Sequence, residues 1–116
     1  RNYYDEAKRN LLEQIPYLQD IKFQCGDYKD LYNTQTNCLI YCDPPYRGVK
    51  QYGTSKNFDY DKFWQWCKEM SKNNIILVSE HNAPDEWDCI WEHKVIRTMD
   101  NNKRVKATEK LFIYNG

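Results

Sequence analysis

One tetrapeptide, Asp43-Pro44-Pro45-Tyr46, gathers groups that can act together on a single substrate atom. Asp43 offers an acceptor carboxylate, Pro44 a carbonyl, and Tyr46 a flat aromatic ring. The two prolines stiffen the backbone, so both acceptors keep one geometry. An exocyclic amine is a poor nucleophile because its lone pair is delocalised into the ring that carries it. Two acceptors that bind its two N–H bonds pull the nitrogen toward tetrahedral geometry. The localised lone pair can then attack an electrophilic carbon, and no proton need leave first. This is catalysis by orientation and preorganised electrostatics. An isolated Asp-Pro-Pro turn can equally be structural, with the carboxylate capping a neighbouring amide.

Position favours the chemical reading. Cys38-Leu39-Ile40-Tyr41-Cys42 is a short continuous apolar run, as expected of a buried parallel strand. It stops at prolines that cannot continue a ladder. In open α/β sheets, ligands bind beyond the carboxyl ends of the strands, where the tetrapeptide lies.

The elements that must position it read as follows. Residues 3–18 carry Ala7, Leu11, Leu12, Ile15 and Leu18 at helical spacing, with Pro16 weakening the end. Ile21 to Cys25 alternates as a short strand, Gly26-Asp27 ends it, and Lys29 to Tyr32 form one helical turn. Residues 47–58 are a polar loop. Asp59 caps a helix from Tyr60 to about Lys72, with Phe63, Trp64, Cys67 and Met70 on its apolar face. Trp64 and Trp66 cannot both face the core of one helix, so one marks an exposed patch or a contact with a part absent from these residues. Ile75 to Ser79 is a second buried-type strand, and Ala83 to Asp88 a short helix or loop. Ile90 to Thr98 and Thr108 to Asn115 are two further strands, joined by a polar turn over residues 99–106. Alternating buried strands and helices predict a mixed, largely parallel α/β sheet closed by an antiparallel pair at one edge.

Bulk properties bound the function. A chain of 116 residues fits one small domain. Hydrophobic residues make up 41% and charged residues 29%, which excludes a disordered chain. No apolar run approaches the roughly 20 residues that span a bilayer. Seventeen basic and 17 acidic residues cancel, so affinity for nucleic acid must come from local distribution. Lys103, Arg104 and Lys106 form one basic cluster, read first as a solvated turn. The five cysteines, irregular in spacing, read as reduced thiols of a cytoplasmic protein. Cys25 and Cys42 are packing residues and no metal site is expected.

Beyond these readings, Cys38 to Tyr46 resembles motif IV of the DNA adenine methylase (Dam-like) family of amino-methyltransferases. Tyr52, Phe58, the Phe63-Trp64-Gln65-Trp66 helix, Ile76-Leu77-Val78-Ser79-Glu80 and the tail from Glu109 to Asn115 are similar to its phage-type branch. Phe23 to Tyr28 is similar to its motif III. The likeness runs from about residue 20 to the end. It implies a methyltransferase-like (Rossmann-like) sheet and transfer of a methyl group from S-adenosylmethionine to the N6 amine of an adenine flipped out of double-stranded DNA, as in restriction-modification or phage protection. It further implies that Asp43 and the Pro44 carbonyl hold the amine, with Pro45 stiffening the turn, and that Tyr46 stacks on the base. Asp43 would also lie beside the donor, and Asp27 and Tyr28 would bind the donor's adenine. Arg47, Lys50 and Lys56, with Tyr52, lie in the loop that would meet DNA phosphates. His81 reads as a partly exposed loop residue.

The family's Phe-x-Gly-x-Gly segment, its ribose-binding acid and its target-recognition region are absent from these residues. The expectation is therefore an incomplete sheet, the C-terminal catalytic part of a methyltransferase domain, silent by itself and prone to self-association through an exposed edge. The alternative is a non-enzymatic nucleic-acid-binding or assembly module that keeps the fold. A third reading is methylation of an amine on RNA or protein.

Overall fold

A computed structural model describes residues 2–31, 35–48, 57–98 and 104–116, the side chain of Arg97 excepted. Helix α1 spans Tyr3–Gln14, and the Asn2 side chain caps it by accepting from the Asp5 amide. A 3-10 turn, Ile15–Leu18, follows, with Pro16 in its opening positions, where a missing N–H costs nothing. The predicted stripe is real in spacing but buries no residue of α1.

The expected strand at Ile21 to Cys25 does not form. These residues are exposed, and Phe23 is 80% exposed. Alternation gives a strand only when a neighbour completes its ladder, and no described strand lies beside this segment. Cys25 is accordingly exposed and packs into no core, contrary to expectation. The next 3-10 turn, Tyr28–Leu31, begins where the Asp27 carboxylate accepts from the Lys29 amide.

Four strands form one sheet in the order β1-β2-β4-β3, where β1 is Leu39–Cys42, β2 Ile75–Glu80, β3 Trp87–Thr98 and β4 Arg104–Tyr114. Strands β1 and β2 are parallel, from Leu39 beside Ile75 to Cys42 beside Val78. Their crossover is helix α2, Tyr60–Met70, as parallel pairing requires. Strand β4 returns antiparallel to β2, and β3 closes the edge antiparallel to β4. The mixed sheet with a closing antiparallel pair is the architecture that the element pattern predicts, and it agrees with the methyltransferase-like sheet that the resemblance implies. It is open, with β1 at one edge.

Both closing strands are longer than expected. Trp87 and Asp88 already belong to β3. Arg104 and Lys106 lie on β4, paired with Thr98 and Ile96, not in a solvated turn. Ladder bonds to β3 override the polar composition of this segment.

The core lies between α2 and one face of the sheet. The Asp59 carboxylate caps α2 at the Lys62 amide. Phe63, Trp66, Cys67 and Met70, at successive helical spacings, meet Ile76, Val78, Trp87 and Phe112. The core therefore takes Trp66 rather than Trp64. Trp64 borders the same stripe, half-buried, with its ring 5.0 Å from that of Trp87. Both indoles thus contribute to the packed side, and neither marks an exposed patch. Beyond Met70, the Asn74 side-chain amide donates to the Met70 and Gln35 carbonyls and its oxygen accepts from the Cys38 amide. One asparagine thereby ties the end of α2 to the start of both parallel strands.

Candidate active site

Strand β1 delivers Asp43 to the carboxyl end of the sheet, where pairing stops. Pro44 is buried and Pro45 half-buried, while Asp43 is exposed. Tyr60, in the first turn of α2, donates its hydroxyl to the Pro45 carbonyl at 2.7 Å. This bond locks the turn from outside and uses the acceptor that the proposed chemistry does not need. Among the described residues, neither the Asp43 carboxylate nor the Pro44 carbonyl has a hydrogen-bond partner. Two acceptors without a partner among the described residues therefore stand on a fixed backbone.

Tyr46 is held at both ends. Its hydroxyl donates to Glu109 of β4 at 2.7 Å, and its ring meets His81 edge-on, with centroids 4.6 Å apart. Burial, followed by the neighbouring Glu109 carboxylate, raises the hydroxyl's pKa far above that of a free tyrosine, so it remains a donor. His81 is the half-buried loop residue expected just beyond β2, and its imidazole Nδ1, 3.0 Å from the Thr108 carbonyl, fixes its ring against Tyr46. Glu80, the last residue of β2, is only 2% exposed. Its carboxylate accepts from the backbone amides of His81 and Arg47 at 2.8 and 3.2 Å. Burial raises its pKa, and those two amides partly offset the rise. Glu80 thus clamps the end of β2 to the residue after the tetrapeptide. Tyr41 and Ser79 share a short hydroxyl contact across β1 and β2.

A cavity of about 590 Å³ opens beside this clamp, walled by Arg47, Trp64, Glu80, His81, Pro84 and Trp87. Its size suits a small organic ligand, and its walls mix two indoles with charged groups. Asp43 and Tyr46 are not among its walls.

The remaining predicted site residues fall in three places. Arg47 is exposed and lays its guanidinium over the Tyr60 ring at 5.4 Å. Lys50, Tyr52 and Lys56 lie outside the described residues, as does Lys103. Asp27 is exposed and occupied locally by Lys29, with a 3.8 Å ion pair beside the amide bond. Tyr28 is half-buried and packs edge-on against Phe63 and Trp66, which ties its turn to α2. Cys42 also packs toward the core. Sequence reading placed Glu80 and Glu109 in family-like segments but gave neither a role in the site. The one local signal was a carboxylate at the end of an apolar strand, which a buried position makes costly unless it is hydrogen-bonded.

A comparison with protein families matches residues 1–107 to the model of the D12 class N6 adenine-specific DNA methyltransferases. No curated protein matches the chain.

Proposed function

The chain belongs to the D12 class N6 adenine-specific DNA methyltransferase family, and from that membership we propose that it is the catalytic part of a methyltransferase domain acting on adenine in double-stranded DNA. The observation that carries the reading is the pair of unpartnered acceptors, Asp43 and the Pro44 carbonyl, on a backbone fixed by Tyr60. S-adenosylmethionine, when bound, supplies a methyl group on a positively charged sulfur. The exposed Asp43 carboxylate is suited to lie beside that charge. Asp43 and the Pro44 carbonyl accept the two N–H bonds of the adenine amine and localise its lone pair. Tyr46, immobilised through Glu109, offers its ring to a base that has left the stack. Asp27 and Tyr28 are the candidates for the donor's adenine. Asp27 is exposed and keeps acceptor capacity beside its contacts with Lys29. Arg47, with Lys50, Tyr52 and Lys56, is assigned to DNA.

These 116 residues contain no Phe-x-Gly-x-Gly segment, so by themselves they hold the donor more weakly than micromolar. The bare sheet face, with Leu39, Tyr41 and Ile75 exposed, favours a second reading as an assembly module. Both are tested by titrating labelled S-adenosylmethionine from micromolar to millimolar with unmethylated duplex DNA, then digesting to nucleosides. Label in N6-methyladenine that rises only toward millimolar donor and vanishes in Asp43→Ala is the expected result. Label that survives Asp43→Ala overturns the site assignment. A folded chain that transfers no label at any donor concentration leaves the assembly reading in its place.

A further inference from the structure

Strand β4 outruns its inner neighbour. The last β2–β4 pair joins Glu80 to Lys110, and among the described strands residues 104–109 continue paired with β3 alone. Six residues at about 3.3 Å each carry this two-stranded arm roughly 20 Å beyond the sheet. It leaves from the carboxyl ends of β1 and β2, the end that bears the tetrapeptide. Its root is fastened to the candidate active site twice, through Glu109 to the Tyr46 hydroxyl and through the Thr108 carbonyl to His81.

Over residues 94–98 and 104–106 the arm's charge is all of one sign. Alternation along paired strands puts Lys94, Ile96 and Thr98 on one face with Thr108, Lys106 and Arg104, their respective partners. Every cation there is opposite a neutral residue. Lys94, Arg104 and Lys106 are exposed, and no ion pair among the described residues engages them. Segments 94–98 and 104–106 contain no carboxylate, in a chain whose formal charge is zero. Unopposed positive charge over roughly 13 Å of the arm, on a ribbon rooted beside a base-modifying site, is a poor match for solvent alone and a good one for a phosphate backbone. A two-stranded ribbon also has the width that a DNA major groove admits.

We propose that the β3–β4 arm is a second DNA-contacting element, in which Lys94, Arg104 and Lys106 bind phosphates of the duplex beside the target adenine. The proposal rests on the reading of the chain as a DNA methyltransferase and adds to it where the duplex lies. Phosphate contacts of this kind position the duplex without reading its sequence. The competing role for such residues is to keep the β3 edge from pairing with other chains.

The decisive experiment follows binding of a fluorescent DNA duplex by anisotropy across a salt series. It compares the chain with a Lys94→Ala, Arg104→Ala, Lys106→Ala variant. Each lost phosphate contact lowers the slope of log affinity against log salt by about 0.9, so the variant's slope should fall by about 2.7. Affinity near physiological salt should drop by about an order of magnitude or more. A charge-keeping variant, Lys94→Arg, Arg104→Lys, Lys106→Arg, should retain the slope, which separates lost charge from a damaged arm. A neutral variant with the wild-type slope and affinity overturns the proposal, as does a wild-type chain with no measurable duplex affinity. The catalytic reading is judged separately. Loss of slope together with no N6-methyladenine at any donor concentration keeps the arm and removes the enzyme. Unchanged slope with Asp43-dependent label does the reverse.

Discussion

The Tyr46–Glu109 bond joins the candidate active site to the sheet's return strand, and its two partners are 63 residues apart in sequence. A hydrogen bond to a charged group typically contributes about 1.5–3 kcal/mol. Tyr46→Phe keeps the ring and deletes the bond. It should destabilise the chain by about 1–3 kcal/mol while leaving the aromatic surface available to a base. Tyr46→Ala should in addition weaken binding of an adenine-containing single strand, by about 1–3 kcal/mol for one stacked base. A double-mutant cycle of Tyr46→Phe with Glu109→Gln checks the first statement, and a coupling energy near zero would refute it. Glu80 makes a second residue-scale prediction. Its folded pKa lies above the ordinary glutamate value of 4.5, chiefly through burial. The folded chain therefore holds this proton more tightly than the unfolded chain does. The contribution is complete below the ordinary carboxylate pKa and is lost as pH rises through the raised folded value. Glu80→Gln should remove that slope, so denaturant unfolding from pH 4.5 upward should show the wild type losing stability relative to the variant. The tetrapeptide was legible because its acceptors and ring are contiguous. Glu80, His81 and Glu109 were not, because the β2–β4 register, rather than any local pattern, brings them to Tyr46 and Arg47.

At the level of elements, two helices with similar caps should respond differently to losing them. Asp59 caps α2, whose Phe63, Trp66, Cys67 and Met70 are core. Asn2 caps α1, which buries no residue. Removing a cap costs about 0.5–2 kcal/mol where the helix is part of the cooperative fold. Asp59→Ala should lower global stability by about 1 kcal/mol, measured by denaturant unfolding of the core tryptophan fluorescence. Asn2→Ala should leave that transition in place and reduce only helicity. An equal effect from both would mean that α1 is packed after all. The same contrast explains what the sequence foretold here. Helical spacing and an Asp ahead of Tyr60 placed α2 within two residues of its end. A strand, unlike a helix, closes none of its hydrogen bonds internally, so the alternation at Ile21 to Cys25 could not by itself decide the fold. The extra length of β3 and β4 was hidden for a related reason. Arg104 and Lys106 read as polar turn residues until pairing with Thr98 and Ile96 defines them.

For the whole molecule, the sheet has one packed face and one bare one. Residues that alternate with the buried Ile76 and Val78 point away from α2. On that side Leu39 is 67% exposed, Tyr41 59% and Ile75 57%. Strand β1 is also the sheet's edge, so its outward backbone groups lack a ladder partner among the described strands. An apolar strip beside an open edge favours pairing with a second copy of the chain. The strip is small, however. Strand β1 has four residues, and a stable interface needs roughly 800 Å² from each partner. The expected outcome is weak, reversible self-association, visible as an average mass in light scattering that rises with concentration. Lysine at the centre of the strip should abolish it, since a buried unpaired charge is costly and Lys on an edge is a common guard against pairing. Leu39→Lys with Tyr41→Lys should therefore give a mass that stays at the monomer value at every concentration. Both positions lie off the core face, so unfolding of the α2 core should be nearly unchanged. A wild-type chain that remains monomeric across the same range would show that the edge and strip do not attract each other. It would also remove the observation that most favours an assembly role over a catalytic one.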